Sequence, residues 1–300
     1  MTELLAAQKA DAGDAPAARA RGVWATLRRR PVFWISSGVL AVLALIALAP
    51  GPIAALFGNP DPRACDLGAG RTPPGSGHPF GTDLQGCDVL ANVLFGTGTS
   101  LFIGLTTTLV CFAIALVLGT LAGYAGGWAD ALIARLTDVF LGFPFLLAAI
   151  VVLNSVPDRT PLVLSLVLAF FSWPTLARII RGSVRAVRDS EHVQAATAMG
   201  LTHTRIVFAH VLPNALGPVL AIATTMVGSV IVAESTLTFL GVGLVSPSIS
   251  WGLQLATAQG YFQIAPHMLF FPALFLTITV VSLITLGDIL RDALDPKGRS

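Results

Sequence analysis

Residues 101–121 read LFIGLTTTLVCFAIALVLGTL and carry no charged side chain. A helix needs roughly 20 such residues to cross about 30 Å of hydrocarbon. The apolar residues are continuous rather than alternating, and the run is longer than a strand of a membrane barrel. This stretch therefore predicts a membrane-spanning α-helix.

The rest of the chain repeats this pattern. Only 11% of the 300 residues are charged and 54% are hydrophobic, whereas an ordinary soluble domain has about 25% charged residues. Five further apolar runs lie at 32–48, 131–153, 161–180, 215–233 and 268–286. The sequence predicts an all-α polytopic membrane protein with about six transmembrane helices.

The first run has a second interpretation. A basic flank precedes it and small residues follow it, as in a secretory signal peptide. We favour a membrane span, because the preceding 30 residues would form an unusually long leader and further spans follow.

The predicted spans divide the chain into four regions. The predicted organisation is a disordered cytoplasmic tail at 1–30, a first helix and extracytoplasmic loop at 31–95, a core of five helices at 96–290 that includes a cytoplasmic loop at 181–214, and a cytoplasmic tail at 291–300.

Basic residues predict the orientation, since Lys and Arg concentrate in cytoplasmic loops. They flank the first run, the segment between the fourth and fifth runs, and the end of the last run: Arg19, Arg21, Arg28, Arg29, Arg30; Arg178, Arg181, Arg185, Arg188, Arg205; Arg291, Lys297, Arg299. The alternate loops hold only Arg63, Arg71 and Arg159. Six spans place the three basic regions on one side, so we expect both termini in the cytoplasm.

The segment 178–214 has the most specific local pattern. Arg178, Arg181, Arg185 and Arg188 follow at helical spacing, so one face of an extended fourth helix would carry all four. That face is suited either to lipid head groups or to a partner, and the spacing leaves both open.

Two short helices are predicted after this arginine face. Ser190 suits an N-cap, Glu191 the positive end of the helix dipole, and Gly200 the left-handed residue after a helix. Thr202 can cap a second helix over 203–211 that Pro213 would stop. We expect Ala195 and Ala196 to be exposed, either on an interfacial hairpin or on a docking surface.

Several side chains outside this segment are candidates for a structural or functional role. Arg135 and Asp138 can pair near one end of the third run. Glu234 and Thr238 lie late in the fifth run, where a buried carboxylate either shapes a gate on the translocation path or bonds a neighbouring helix. Cys65 and Cys87 fall in the same outward loop and are a possible disulfide.

Three further residues are candidates for shaping the helices. We expect Pro144, Pro174 and Pro272 to kink their helices and help form a cavity.

Motifs of catalysis are absent from the sequence. A phosphate-binding loop ends in Gly-Lys-Ser/Thr, and the chain contains no Gly-Lys pair. It contains no H-E-x-x-H, no G-x-S-x-G and no C-x-x-C. The formal net charge of +2 gives no indication of nucleic acid. We therefore expect a protein that is not an enzyme, binds no metal or cofactor and has no nucleic-acid partner.

Four motifs carry a family resemblance. Gln194-Ala195-Ala196, then Gly200, then Leu212-Pro213 resembles the EAA loop of ATP-binding-cassette importer permeases. Three other stretches resemble the C-type dipeptide and oligopeptide permeases. They are HPFGTD at 78–83, ESTLTFLGVG at 234–243 with SWG at 250–252, and GDILRDALDP at 287–296. One departure is Gln194, which replaces an acidic residue and removes a possible charged contact.

This resemblance implies a type I importer permease in the cytoplasmic membrane of a prokaryote, translocating dipeptides or oligopeptides. Its partners would be a homologous second permease, two ATP-binding subunits that use ATP and Mg, an extracytoplasmic binding protein and membrane lipid. Residues implied in coupling to the ATPase subunit are Glu191, Gln194, Ala195, Ala196, Gly200, Thr202, Arg205, Leu212 and Pro213.

Other substrates and transport classes remain as alternatives. Nickel or another small solute is the alternative within the family. An ion-coupled secondary transporter or a membrane scaffold are alternatives outside it.

Overall fold

The computed structural model describes residues 24–294. Within that part of the chain the secondary structure is helical, with isolated β-bridges in the loop before the second long helix. The helices are α1 (Pro31–Leu48), α2 (Pro50–Ala55), α3 (Val89–Ala125), α4 (Gly127–Gly142), α5 (Phe145–Ser155), α6 (Pro161–Arg188), α7 (Glu191–Ala198), α8 (His203–Ile206), α9 (Leu212–Phe239), α10 (Trp251–Ala258) and α11 (His267–Leu294).

Among residues 24–294, five segments are long and apolar enough to cross a membrane, and the third predicted run is the exception. Instead of one helix over 131–153, the structure has α4 and α5 bent by 81°. The break falls at Phe143 and Pro144, which both have extended backbone angles. Proline lacks an N–H and disfavours helical geometry in the residue before it. The expected kink at Pro144 is therefore a full break.

The bent pair of α4 and α5 nevertheless crosses the bundle as one antiparallel segment, because the helices before and after it, α3 and α6, run parallel to each other. Thr107 donates a hydrogen bond to the Ser165 carbonyl at 3.1 Å, and Cys111 contacts the Ala169 carbonyl at 3.5 Å; both pairs are 58 residues apart. A constant offset means that α3 and α6 point the same way. The chain between them must return along their length, so counting α4 and α5 as one crossing gives the six spans allowed by helix length and composition.

Two glycines let α3 and α6 approach closely. A Cβ built on Gly119 would lie 2.8 Å from the Ala177 carbonyl oxygen, and one on Gly123 would lie 2.7 Å from that of Arg181. Small residues four positions apart are a common device for close helix contact in membranes. Side chains larger than glycine would force these two backbones apart.

Loops gather at two ends of the bundle, which we name by their most characteristic residues. The arginine end contains residues 24–30, the segment 189–211 between α6 and α9, and the end of α11, where Arg30 pairs with Asp292 at 2.9 Å. The disulfide end contains residues 49–88, 156–160 and 240–266, where Arg159 donates to the Gly241 carbonyl at 3.2 Å. The basic regions of the described chain thus share one end, as the sequence predicts. Arg19, Arg21, Lys297 and Arg299 lie outside the described residues, as do most of the tail at 1–30 and residues 295–300 of the tail at 291–300.

The loop at the disulfide end is packed against the helices. The sulfur atoms of Cys65 and Cys87 lie at bonding distance, 1.98 Å. Phe80 stacks on Phe271 of α11 with ring centroids 3.8 Å apart, and the His267 Nε2 lies 2.9 Å from the Thr82 carbonyl. These contacts fix the HPFGTD segment on the start of α11.

Candidate functional site

The short helix α7 is linked to spanning helices on both sides. Before it, α6 continues without a break to Arg188. After it, the chain is helical from His203 to Phe239. The predicted stop at Pro213 is wrong: a π-helical turn, Val207–Val211, leads directly into α9. Pro213 lies in the first turn of α9, and the wider π turn accommodates a residue without an N–H there.

One face of α7 is buried and one is open. Val193 is 2% exposed and Ala196 1% exposed, and both pack with Val184, Ile206 and Val211. The expectation that Ala196 is exposed is therefore wrong, because residues three apart share a helix face and Val193 fixes which face is inward. The open face of α7, as we call it, consists of Glu191, His192, Gln194, Ala195, Ala198 and the following Met199.

Gly200 ends α7 as predicted. Its φ is +78°, and the Leu201 N–H bonds the Ala196 carbonyl at 3.3 Å while the Gly200 N–H bonds the Thr197 carbonyl at 3.0 Å. This pair of bonds is a Schellman motif, for which a left-handed glycine is the usual residue.

The two predicted side-chain caps are wrong. Ser190 and Thr202 occupy the N-cap positions of α7 and α8, but neither side chain bonds the helix N–H groups. The Ser190 hydroxyl instead donates to the Val187 carbonyl at the end of α6. This bond competes with capping, because short polar side chains commonly bond other backbone groups close in sequence.

Arg188 fastens the end of α6 to the end of α3. Its Nη1 donates to the carbonyls of Gly123 and Tyr124, each at 3.2 Å, and its Nε to Asp189 at 2.9 Å. The two carbonyls belong to the last turn of α3, where helix dipoles favour a positive charge. Tyr124 also lies 2.9 Å from the His203 Nδ1 in α8. The start of the segment 189–211 and the first residue of α8 are thus both attached to α3.

The other arginines also bind within the chain. Arg181 makes a two-bond pair with Asp130 of α4, its Nη2 donating to Oδ2 at 2.7 Å. Arg178 pairs with Asp138, which also lies 3.6 Å from Arg135. Arg178, Arg181 and Arg188 thus have partners within the chain, and contact of the arginine face with lipid head groups or with a partner stays a prediction. The carboxylate partners of Arg178 and Arg181 are 40 and 51 residues away in sequence, beyond the reach of local pattern.

The remaining predicted coupling residues differ in exposure. Thr202, Arg205 and Pro213 are exposed and Leu212 is 9% exposed. An open pocket of about 500 Å³ lies beside α7, lined by Tyr124, Arg188, Val193, Gln194, Thr197, Ala198 and His203. Tyr124 and His203 were missed, because no motif in the sequence relates the end of α3 to this segment.

Glu234 and Thr238 lie near the disulfide end. The Glu234 side chain is fully buried and accepts bonds from Ser235 at 3.2 Å, Thr238 at 3.0 Å and Ser250 at 3.1 Å. Ser250 is also the N-cap of α10, where it accepts from the Leu253 N–H. Glu234 therefore joins α10 to α9, which favours the structural interpretation over an exposed gate residue. Among residues 24–294, no three His, Cys, Asp or Glu side chains are grouped to hold a metal.

Comparison with known proteins gives the family. Residues 115–300 match the model described as "Binding-protein-dependent transport system inner membrane component". The chain belongs to this family. The helices α4 to α11, with the segment between α6 and α9, fall within the matched part.

Several curated relatives cover most of the permease. It is 38% identical to the glutathione transport system permease protein GsiD of Pectobacterium atrosepticum, over 76% of this chain and 75% of that protein. It is 32% identical to the oligopeptide transport system permease protein OppC of Bacillus subtilis, over 97% and 95%. It is 37% identical to the dipeptide transport system permease protein DppC of the same organism, over 76% and 71%.

A solved structure shares the fold. An amino acid ABC transporter, crystallised with histidines, superposes with a TM-score of 0.54 at 15% identity, over 67% of this chain and 92% of the other. The permease is thus a multi-pass inner membrane protein with an ABC importer fold.

Proposed function

We propose that the permease is a transmembrane subunit of an ATP-driven importer that carries dipeptides or oligopeptides. It would pair with a homologous second permease and work with two ATP-binding subunits and an extracytoplasmic binding protein. The curated relatives named for glutathione, oligopeptide and dipeptide transport support this substrate class. Nickel or another small solute is the alternative that the uptake assay below separates.

The observation that carries the proposal is that α7 lies between two long helices, α6 and α9. A docked partner that moves α7 also moves α6 and α9, because both continue as helices to either side of it. Arg188 transmits the same displacement to α3 through its bonds to the last-turn carbonyls. A flexible connection would dissipate the movement, whereas packed helices shift as units.

The partner that α7 meets would supply the energy. The sequence has no Gly-Lys pair and hence no phosphate-binding loop, so ATP and Mg would be bound by the ATPase subunits and not by this chain. The open face of α7 would enter a groove of that subunit, and Gln194 would contribute an uncharged amide there.

The orientation is proposed with the arginine end in the cytoplasm of a prokaryotic cell and the disulfide end outside. Ser76 and Thr202 are both exposed and lie at opposite ends. In intact cells an impermeant thiol reagent should label Ser76→Cys and leave Thr202→Cys unlabelled. The free native thiol among the described residues, Cys111, is buried, so background labelling is low. Labelling of Thr202→Cys alone would invert the orientation.

Uptake in proteoliposomes tests the function. The complete complex, with binding protein outside and ATP inside, should accumulate radiolabelled tri-alanine, and an ionophore that collapses ion gradients should leave uptake intact. Uptake that needs the gradient and not ATP would identify a secondary transporter. Accumulation of ⁶³Ni²⁺ without tri-alanine would favour the small-solute alternative.

A further inference from the structure

A cleft of about 510 Å³ opens at the disulfide end. Its walls are the loop around the two cysteines, the segment 246–250 and the side of α10. Small-molecule sites in proteins are commonly about 300–1,000 Å³ in volume. The cleft therefore has room for a molecule of the size of a short peptide, and it lies at the opposite end of the bundle from α7.

Two opposite charges line this cleft, Arg63 and Asp83. Arg63 uses Nη2 to donate to the Pro247 carbonyl at 2.8 Å. Guanidinium has five N–H donors, and no ion pair of Arg63 occurs within the described part of the chain. Most of its hydrogen-bonding capacity is available to a carboxylate.

Asp83 likewise keeps one carboxylate oxygen available for a hydrogen bond. Its Oδ1 accepts from the Gln85 N–H at 2.8 Å and from the Cys87 N–H at 2.9 Å, which orients the carboxylate. Its Oδ2 makes no hydrogen bond to residues 24–294. One oxygen is thus held by the loop backbone while the other remains free to accept from an ammonium group.

The cleft is also structurally well supported. The bond between Cys65 and Cys87 closes one wall. Gln254 of α10 is held by its Nε2, which donates to the Asn92 carbonyl at 2.8 Å.

We propose that this cleft binds a short zwitterionic peptide on its way into the permease. Arg63 pairs with the peptide α-carboxylate, since guanidinium and carboxylate match in geometry, and Asp83 Oδ2 pairs with the α-ammonium. The inference rests on the proposed function, because it deepens peptide import by giving the permease its own site, separate from the binding protein.

Direct binding by the complete complex in nanodiscs, without binding protein, tests the site. Titrations use tri-alanine, its N-acetyl form and its C-terminal amide. Each cap should weaken binding to the wild type about tenfold or more, since a hydrogen bond between charged groups is among the stronger polar contacts. Arg63→Gln should bind tri-alanine and its amide equally, and Asp83→Asn should bind tri-alanine and its N-acetyl form equally.

Both substitutions preserve the loop. Asparagine keeps an oxygen for the Gln85 and Cys87 N–H groups, and glutamine keeps a donor for the Pro247 carbonyl. Matched controls are Arg71→Gln and Asp66→Asn, which change the same charges in the same loop outside the cleft and should keep the wild-type sensitivity to both caps.

Two results would overturn the proposal. One is a complex that performs ATP-driven tri-alanine uptake yet shows no saturable binding without binding protein. The other is equal affinity of the wild type for capped and uncapped peptides, as expected if the cleft instead receives a loop of the binding protein. Both leave the importer function standing, whereas loss of ATP-driven uptake by the wild type would remove the importer function itself.

Discussion

Placing a tryptophan on the open face of α7 tests the docking role without disturbing the fold. Ala195 points outward from α7, while its neighbour Ala196 is 1% exposed and packed against Val193. Ala195→Trp therefore adds its ring where the chain itself leaves space. Ala196→Trp adds the same ring to a filled core.

The expected magnitudes follow from this difference. Overpacking a close-packed contact costs about 1–3 kcal/mol. If the open face of α7 sits in a groove of the ATPase subunit, Ala195→Trp adds this cost to docking and weakens it roughly tenfold or more, since 1.4 kcal/mol corresponds to a factor of ten. For Ala196→Trp the same cost falls on the folded permease itself.

Two measurements separate these effects. The thermal unfolding midpoint of the purified permease reports on the fold, and recovery of ATPase subunits together with tri-alanine uptake reports on docking. Ala195→Trp should keep the midpoint and lose subunits and uptake. Ala196→Trp should lower the midpoint. Ala113→Trp, on the exposed apolar side of α3, is the matched control and should change neither.

If Ala195→Trp retains subunit recovery and uptake at the wild-type level, the open face of α7 is not a docking surface. The proposal that α7 couples ATP hydrolysis to transport then loses its support. A lowered midpoint for Ala195→Trp would contradict the assignment of α7's buried and open faces instead.

Three further predictions concern the helix contacts and the loop. Gly123→Leu should lower the unfolding midpoint, because its Cβ would lie 2.7 Å from a backbone oxygen, whereas Gly182→Leu, with nothing within 4 Å of the added Cβ, should not; equal midpoints would contradict the close contact. Glu234→Leu should destabilise the permease by about 1–3 kcal/mol more than Glu234→Gln, since leucine leaves the three bonded hydroxyls without an acceptor; equal midpoints would show that these bonds are dispensable. Mass mapping under non-reducing conditions should recover Cys65 and Cys87 in one linked peptide, and two free thiols would refute the pairing.

Apolar run length and helix signals predicted most of the fold. Continuous hydrophobic stretches gave the spanning helices, and Gly200 gave the end of α7, because these features depend on residues close in sequence. Pro144 indicated a kink, but sequence alone does not give the angle of 81° between α4 and α5. That angle depends on how the two halves pack against α6.

The errors in the site have a common physical cause. Ala195 and Ala196 are chemically identical, and only the packing of Val193 decides which one turns inward. The pairs of Arg178 with Asp138 and of Arg181 with Asp130 were missed, because their members are 40 and 51 residues apart in sequence. Ser190 satisfied the pattern of an N-cap, yet the Val187 carbonyl competes for its hydroxyl. The outcome was determined by packing for the alanines, by contacts distant in sequence for the arginines and by a choice between two local bonds for Ser190.

The parallel pairing of α3 and α6 also determines where the gene can gain or lose codons. One inserted residue inside either helix turns everything after it by about 100°. Such an insertion before Gly119 would replace the glycines with larger side chains at the points where Ala177 and Arg181 come close. The same insertion at 156–160 leaves both helices and their contact unchanged, because that short connection is not part of the paired surface. Length variation among homologous permeases should therefore collect in such connections, while the spacing from Thr107 to Gly123 and from Ser165 to Arg181 stays fixed.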